Sequence, residues 1–154
     1  MNVFERIGYN GDIINFFITS FSLWKQPSYA SIFVLCYFID IGINKILKKI
    51  IREPRPPGYA DVSETLQSKY VNEEKFGMPS GHSESVFFST AFLWFVIGSP
   101  IMLMIELFIC AITLYQRWKN KKHTVEQLFV GAWIGILFAY FVFWYNQIMY
   151  KNTI

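Results

Sequence analysis

The stretch LFVGAWIGILFAYFVFWYNQI runs from Leu128 to Ile148 without one Asp, Glu, Lys or Arg. As an α-helix it would be about 31 Å long, which matches the ~30 Å hydrocarbon core of a bilayer. Three further apolar stretches precede it, at Tyr29–Leu47, Ser83–Ile97 and Ile101–Tyr115, and a weaker one covers Ile13–Trp24. The pattern predicts an all-α integral membrane protein, a compact bundle of about five transmembrane helices.

The composition of the whole chain agrees with this prediction. Of its 154 residues, 53% are hydrophobic and only 16% are charged, whereas soluble domains carry about 25% charged residues. Five spans of about 20 residues each fit into this length, and a sixth does not. We therefore treat residues 1–154 as a single membrane-embedded domain. The composition excludes a disordered chain, and two cysteines exclude a disulfide-stapled miniprotein.

The apolar stretches differ in how well they fit a bilayer. The third and fourth are about 22 Å long as helices, so we expect them to extend into their polar flanks, from Gly81 and as far as Arg117. The segment Ile13–Trp24 is short, and the sequence leaves open whether it spans the membrane or lies in the interface. Cys36 and Cys110 lie in apolar runs and are expected to be small core residues.

Counting the crossings brings distant polar segments to one face of the membrane, called here the motif side. A long loop, 48–81, follows the second stretch, and within it Ser63 is a candidate cap for a short helix to Tyr70. A basic hairpin over Gln116–Lys122 joins the fourth and fifth stretches. If each stretch crosses once, both segments and both histidines of the chain lie on the motif side.

Three clusters on that side have the chemistry of a phosphate site: Lys48-x6-Arg55-Pro56, Pro79-Ser80-Gly81-His82 and Arg117-x5-His123-Thr124-x2-Gln127. Arginine presents a fork of donors that matches phosphate oxygens, and free backbone N–H groups at a helix start favour an anion. Taken singly, each basic residue could serve only membrane topology, and Ser80-Gly81 could be only a helix cap. Their convergence on one face favours a lipid phosphate or diphosphate as the ligand.

Two histidines complete the clusters, and they are the only two in the chain. One histidine can attack phosphorus while the other protonates the leaving oxygen. No cluster has the spacing of metal ligands, so we predict a reaction without metal or other cofactor. A net charge of +3 gives no reason to expect a nucleic-acid partner.

The three motifs together resemble the type 2 phosphatidic acid phosphatase superfamily. Finer features, Arg52-Glu53-Pro54-Arg55-Pro56, the lead-in Gly77-Met78-Pro79-Ser80 and His123-Thr124-x2-Gln127, are similar to its dolichyldiphosphatase branch. The resemblance implies that His123 is the nucleophile and forms a phosphohistidine, and that His82 protonates the leaving group. It also implies that the phosphoryl oxygens are held by Lys48, Arg55, Ser80, Gly81 and Arg117.

Two positions depart from the superfamily pattern. Gln116 stands where serine is usual, and Gln127 stands where an aspartate usually supports the nucleophile. Gln127 can accept a hydrogen bond from the His123 ring but brings no negative charge, and glutamine here is itself usual in the dolichyldiphosphatase-like branch. Glu126 is a candidate replacement carboxylate, and the alternative is that it faces solvent beside Lys122.

These features predict an integral-membrane lipid phosphatase that hydrolyses a polyprenyl, dolichyl-like diphosphate. Two alternatives stay open: a phosphatidic acid or other glycerolipid phosphatase, and a non-catalytic membrane protein that binds lipid phosphates. The sequence determines neither the lipid carrier, nor the organelle, nor the oligomeric state.

The orientation in the membrane also stays open. Eleven basic residues fall on the motif side and two, Lys25 and Lys151, on the other, with Lys45 set aside near a helix end. The positive-inside rule therefore favours a cytosolic site, whereas the resemblance implies the lumenal face of the endoplasmic reticulum.

Two acidic residues lie inside apolar stretches. For Asp40 we expect pairing with Lys45 or another base near the helix end. For Glu106 we expect a hydrogen bond between helices in preference to a role in proton transport.

Overall fold

The computed structural model describes residues 3–57 and 75–151 and contains six α-helices within them. They are α1 (Val3–Tyr9), α2 (Gly11–Ser22), α3 (Pro27–Ile51), α4 (Gly81–Ile97), α5 (Pro100–Lys119) and α6 (Val125–Lys151). No strand occurs in the described ranges, where the pairing of Pro54 with Phe76 is an isolated bridge. The predicted all-α class is confirmed. The short helix predicted from Ser63 to Tyr70 lies outside the described residues.

Local sequence signals set the helix ends. Proline occupies the first position of both α3 and α5, where its missing N–H costs no hydrogen bond. Helix α3 ends where Arg52 adopts a left-handed conformation (φ 55°), and the prolines that follow prevent its continuation. Between α4 and α5, Gly98 takes φ 65° and the Ser99 side chain accepts a hydrogen bond from the Met102 N–H. This corner reverses the chain so that α5 packs back along α4.

Helix α4 is the centre of the bundle, with α2, α3, α5 and α6 packed around it. Gly131 and Gly135 of α6 allow the closest approach, since a Cβ at Gly131 would lie 2.5 Å from the Ser80 carbonyl oxygen. Phe33 of α3 stacks on Phe88 of α4, with ring centroids 5.7 Å apart. Glycines therefore let α6 lie close to α4, and an aromatic stack joins α4 to α3.

Three helices are long and apolar enough to cross a membrane: α3, α5 and residues 125–149 of α6. Helix α4 has 17 residues and is almost as long as α5, which has 20, whereas the 12 residues of α2 make a helix of only about 18 Å. The prediction of about five transmembrane helices is therefore approximate in its count. As predicted, α4 begins at Gly81 and α5 includes Arg117, and α5 then continues to Lys119.

Helix α2 has a polar inner face and an apolar outer face. Asn15 donates to the Thr90 hydroxyl (3.1 Å), and Thr19 donates to the Glu106 carboxylate (2.8 Å), all in the interior. Phe17 and Phe21 on the other face are exposed. The interhelical hydrogen bond predicted for Glu106 is thus present, and it fixes α2 against the bundle.

The other buried groups follow the sequence expectations in part. Cys36 and Cys110 are both buried free thiols, as predicted. The Asp40 carboxylate accepts a hydrogen bond from Ser85 of α4 (3.2 Å), a hydroxyl partner on the neighbouring helix that the sequence did not indicate. The predicted hairpin over Gln116–Lys122 is wrong in extent, because α5 remains helical through Lys119 and only a short turn precedes α6.

Candidate active site

Backbone hydrogen bonds join the three motifs at one end of the bundle. The Gly77 N–H donates to the Glu53 carbonyl (2.8 Å), and the Ser80 N–H donates to the Gln127 carbonyl (3.1 Å). The Asn44 side chain of α3 donates to the Pro79 carbonyl (3.3 Å). The end of α3, the start of α4 and the start of α6 therefore meet, as the crossing count predicted.

A cleft of about 280 Å³ opens at this end. It is lined by four of the predicted site residues, Lys48, Arg55, Gly81 and His82, together with Asp12, Ile41, Asn44, Lys45 and Ser85. Lysine and arginine supply positive charge, and Gly81 opens α4 at the cleft. This combination suits a phosphate group, because cations and a helix start both stabilise an anion.

His123 lies beside this cleft and is almost fully buried, with 4% of its surface exposed. Its Nδ1 is 3.0 Å from the Gly77 carbonyl oxygen and 3.3 Å from Oε1 of Gln127. Both neighbours are acceptors, so Nδ1 carries the hydrogen and the lone pair is on Nε2. Nε2 lies 3.4 Å from Nη1 of Arg55, a residue that also lines the cleft. The Nε2 of this predicted nucleophile thus faces the predicted phosphate-binding arginine.

Gln127 is held from several directions. Its N–H donates to the Thr124 hydroxyl and its Oε1 accepts from the Thr124 N–H, each at 3.3 Å, which is a capping box at the start of α6. Its Nε2 donates to Oε1 of Glu53 and to the Pro54 carbonyl, both at 2.8 Å. These partners fix which end of the amide faces His123. His123 itself precedes α6, so the two residues meet through the capping turn and do not share a helix face.

The approach of Gly77 to this network is too close for any side chain. A Cβ at this position would lie 2.2 Å from Oε1 of Gln127. The glycine therefore lets its own carbonyl reach the His123 ring.

The environment keeps both histidines neutral in the free protein. Burial, followed by the charges of Arg55 and Lys48, lowers the pKa of His123 to about 3. Partial burial, with the charges of Arg117, Lys48 and Arg55, likewise lowers the pKa of His82, which precedes the apolar stretch of α4. The role predicted for His123 needs a neutral ring, whereas the role predicted for His82 needs a proton, which the negative charge of a bound phosphate would favour.

Arg117 and Ser80 are buried behind the cleft. The Arg117 guanidinium donates to the Tyr9 carbonyl (3.0 Å) and lies over the Tyr9 ring, 5.2 Å from its centroid. Ser80 precedes α4 and is fully buried. In this arrangement Arg117 connects the site to α1 and acts on His82 through its charge.

Asp12 is a site residue that the sequence reasoning missed. It lies in the first turn of α2, and its Oδ2 lies 3.6 Å from Nε2 of His82. Burial raises the pKa of Asp12, and the charge of Arg117 opposes this shift. The sequence offered little to find it, because Asp12 precedes a short segment whose position in the bundle depends on tertiary packing.

Glu126 was the wrong candidate for the carboxylate near His123. It is exposed on the first turn of α6, whereas Glu53 contacts Gln127. The Thr124-x-x-Gln127 spacing is a capping-box signature, and it could have shown that Gln127 turns toward the helix start. Within residues 3–57 and 75–151 no group of three His, Cys, Asp or Glu side chains is placed to hold a metal ion.

Comparison with known proteins gives relatives that are named as phosphatases. The chain is 31% identical to dolichyldiphosphatase 1 of Dictyostelium discoideum over 118 residues, which is 70% of this chain and 47% of that protein. It is 26% identical to lipid phosphate phosphatase gamma of Arabidopsis thaliana over 146 residues, 87% of this chain and 61% of the relative. The chain thus spans about half the length of these relatives.

Lipid phosphate phosphatase epsilon 2, chloroplastic, of Arabidopsis thaliana is 30% identical over 121 residues, which cover 72% of this chain and 38% of that protein. No solved structure matches the chain. The family model of the PAP2 superfamily matches residues 29–150, a range that includes all three motifs. The chain therefore belongs to the PAP2 superfamily.

Proposed function

We propose that this protein is a membrane-embedded lipid phosphatase that hydrolyses a polyprenyl diphosphate through a phosphohistidine on His123. The observation that carries the proposal is the orientation of His123. Two acceptors hold its Nδ1–H, and its Nε2 faces Arg55 at the cleft. The likeness to dolichyldiphosphatase 1 supports a diphosphate on a long isoprenoid tail as the substrate.

In the first step the Nε2 lone pair of His123 attacks the terminal phosphorus. The N–P bond forms while the bond from phosphorus to the bridging oxygen breaks, and that oxygen takes the proton of His82. Lys48 and Arg55 line the cleft where they stabilise charge on the five-coordinate transition state. The products are the lipid monophosphate and a phosphohistidine.

In the second step a water molecule attacks the phosphorus and gives a proton to His82, which the first step left neutral. The N–P bond breaks and its electron pair returns to Nε2. Inorganic phosphate leaves, and both histidines regain their starting protonation states. The cycle balances without a metal ion or another cofactor.

The cleft also suits a lipid tail. Ile41 contributes an apolar wall, and Phe38, one turn earlier on α3, is exposed on the surface of the same helix. A head group bound between Lys48 and His82 can therefore have its tail against apolar α3 side chains in the bilayer.

Hydrolysis of phosphatidic acid or another glycerolipid phosphate is the second candidate, favoured by the likeness to two lipid phosphate phosphatases. Phosphate release should be measured with purified protein in lipid nanodiscs and excess EDTA, on dolichyl diphosphate, farnesyl diphosphate and phosphatidic acid. We expect fastest turnover of a prenyl diphosphate. Saturating turnover of phosphatidic acid alone would instead support the glycerolipid activity.

The same panel tests a non-catalytic role. Retention of the lipids without any release of phosphate would favour a lipid-phosphate-binding protein and overturn the proposal. The orientation and the organelle are separate questions. Labelling of a cysteine introduced into the 119–122 turn with a reagent that cannot cross the membrane decides on which side the site lies.

A further inference from the structure

The Gln127 amide joins the nucleophile to a carboxylate. Its Oε1 faces Nδ1 of His123 at 3.3 Å, and its Nε2 donates to Oε1 of Glu53 at 2.8 Å. The Pro54 carbonyl accepts from the same Nε2. If the amide were turned round, its oxygen would lie against the oxygens of Glu53 and Pro54, so the orientation is fixed. A chain of hydrogen bonds thus runs from His123 through Gln127 to Glu53.

This chain places a negative charge where Gln127 itself has none. The superfamily pattern usually has aspartate at this position, in direct reach of the histidine. A carboxylate that accepts from the amide N–H₂ polarises the amide, and its oxygen becomes a stronger acceptor. Glu53 therefore strengthens the bond from Gln127 to the His123 ring.

We propose that Glu53 is a positioning residue for the nucleophile: through Gln127 it holds the His123 ring with Nε2 unprotonated and stabilises positive charge on that ring. The inference rests on the proposed function, in which Nε2 bonds to phosphorus. When that bond forms the ring becomes cationic while Nδ1 keeps its hydrogen. The Glu53 carboxylate, two hydrogen bonds away from the ring, then offsets the positive charge of the nearby Arg55.

The position of Glu53 fits this role. It lies two residues before Arg55, on the segment that leaves α3, and its own carbonyl accepts from the Gly77 N–H (2.8 Å). Gly77 in turn presents its carbonyl to Nδ1 of His123. Both acceptors of the Nδ1 hydrogen are therefore held by Glu53, one through its side chain and one through its backbone.

The substitution Glu53→Gln keeps the size of the side chain and an oxygen to accept from Gln127, but removes the charge. We expect kcat for the prenyl diphosphate to fall about 10- to 100-fold, the range typical when a group behind a functional histidine is lost. KM should change less than about twofold, since Glu53 is not among the residues that line the cleft. Glu126→Gln, an exposed neighbour of the same type, is the matched control and should behave as wild type.

Exchanging the two groups separates charge from packing. Gln127→Asp alone places two carboxylates against each other and should be impaired. The double variant Glu53→Gln/Gln127→Asp restores one carboxylate and one amide in reversed order. We expect it to be more active than either single variant. If its fall in kcat instead equals the product of the two single falls, the proposal is overturned.

A spectroscopic readout makes the test independent of turnover. With ¹⁵N-labelled histidine, His82→Ala leaves His123 as the one labelled residue. We expect a protonated Nδ1 and a bare Nε2, and a changed Nδ1 shift when Glu53→Gln is added. If wild-type protein releases no phosphate from any lipid but this shift occurs, the proposed function fails and the positioning role stands. If kcat and the Nδ1 shift are both unaffected by Glu53→Gln, the positioning role is wrong.

Discussion

The two histidine regions of the site are built in opposite ways. His123 is 4% exposed, and its ring contacts Gly77, Gln127 and Arg55. His82 keeps 35% of its side chain exposed, lines the open cleft, and has the Asp12 carboxylate at 3.6 Å. A nucleophile must be held in one tautomer and one direction, whereas an acid must reach a leaving group and exchange protons. The structure gives each histidine the surroundings that its proposed task requires.

The two regions also differ in which elements build them. The surroundings of His123 come from the segment after α3, the segment before α4 and the capping turn of α6. Those of His82 come from the start of α4 and the start of α2, with the charges of Arg117, Lys48 and Arg55 acting on it as well. Breaking each region should therefore have separable consequences.

The largest effect is expected from His123→Ala. Without a nitrogen nucleophile no phosphohistidine forms, and phosphate release should fall by at least about 10⁴-fold, on any substrate. Labelling with ³²P-substrate and quenching in alkaline SDS, in which a phosphohistidine survives, measures the intermediate, and thermal unfolding in the same detergent checks that the variant is folded. An acid-labile phosphoprotein in this variant would contradict the assignment.

His82→Ala should lose about 10²- to 10⁴-fold on lipid substrates, the usual contribution of a general acid. With p-nitrophenyl phosphate, whose leaving group needs no proton, phosphohistidine formation should be much less impaired. The comparison of the two substrates therefore distinguishes the histidines, because His123→Ala is inactive on both. Equal losses of His82→Ala on both substrates would contradict its role as the acid.

Asp12→Asn should have an intermediate effect. A partly exposed carboxylate at this distance contributes on the order of 1 kcal/mol to a charged histidine, so we expect about a fivefold fall in kcat on lipid substrates. The p-nitrophenyl phosphate reaction should change little. Glu5→Gln is the matched control, because it removes an ion pair of equal length (3.6 Å, to Lys119) on α1 and should leave both activities unchanged.

The smallest effect concerns pH. With its pKa lowered to about 3, His123 is about 99% neutral at pH 5 and gains a proton only as the pH falls toward 3. Loss of nucleophile is therefore expected near pH 3, and not near the usual histidine value of 6.5. A ¹⁵N titration of the ligand-free protein measures this directly, and a midpoint for His123 near 6.5 would show that the ring is not buried among cations as described.

The sequence predicted much of this arrangement, for identifiable reasons. The apolar stretches predicted the helices, because an apolar segment as long as a bilayer is thick must pair its backbone groups internally, as an α-helix does. Counting the membrane crossings then placed the three motifs on one side. The supporting residues were harder to find: the sequence indicates Glu126, adjacent to Gln127 in the chain, as one of two alternatives and gives no sign of Glu53. Adjacent residues on a helix point in different directions, and Glu53, 74 positions away, is the one that faces the amide.

By itself the sequence determined the helical membrane class, the clustering of basic residues and the superfamily, because hydrophobic length and motif spacing are properties of the linear chain. Only the tertiary structure decided which carboxylate accompanies each histidine. Glu53 reaches His123 through Gln127, and Asp12 reaches His82 from α2. Such contacts depend on how helices pack against α4, and packing joins residues whose separation along the chain gives no sign of their proximity.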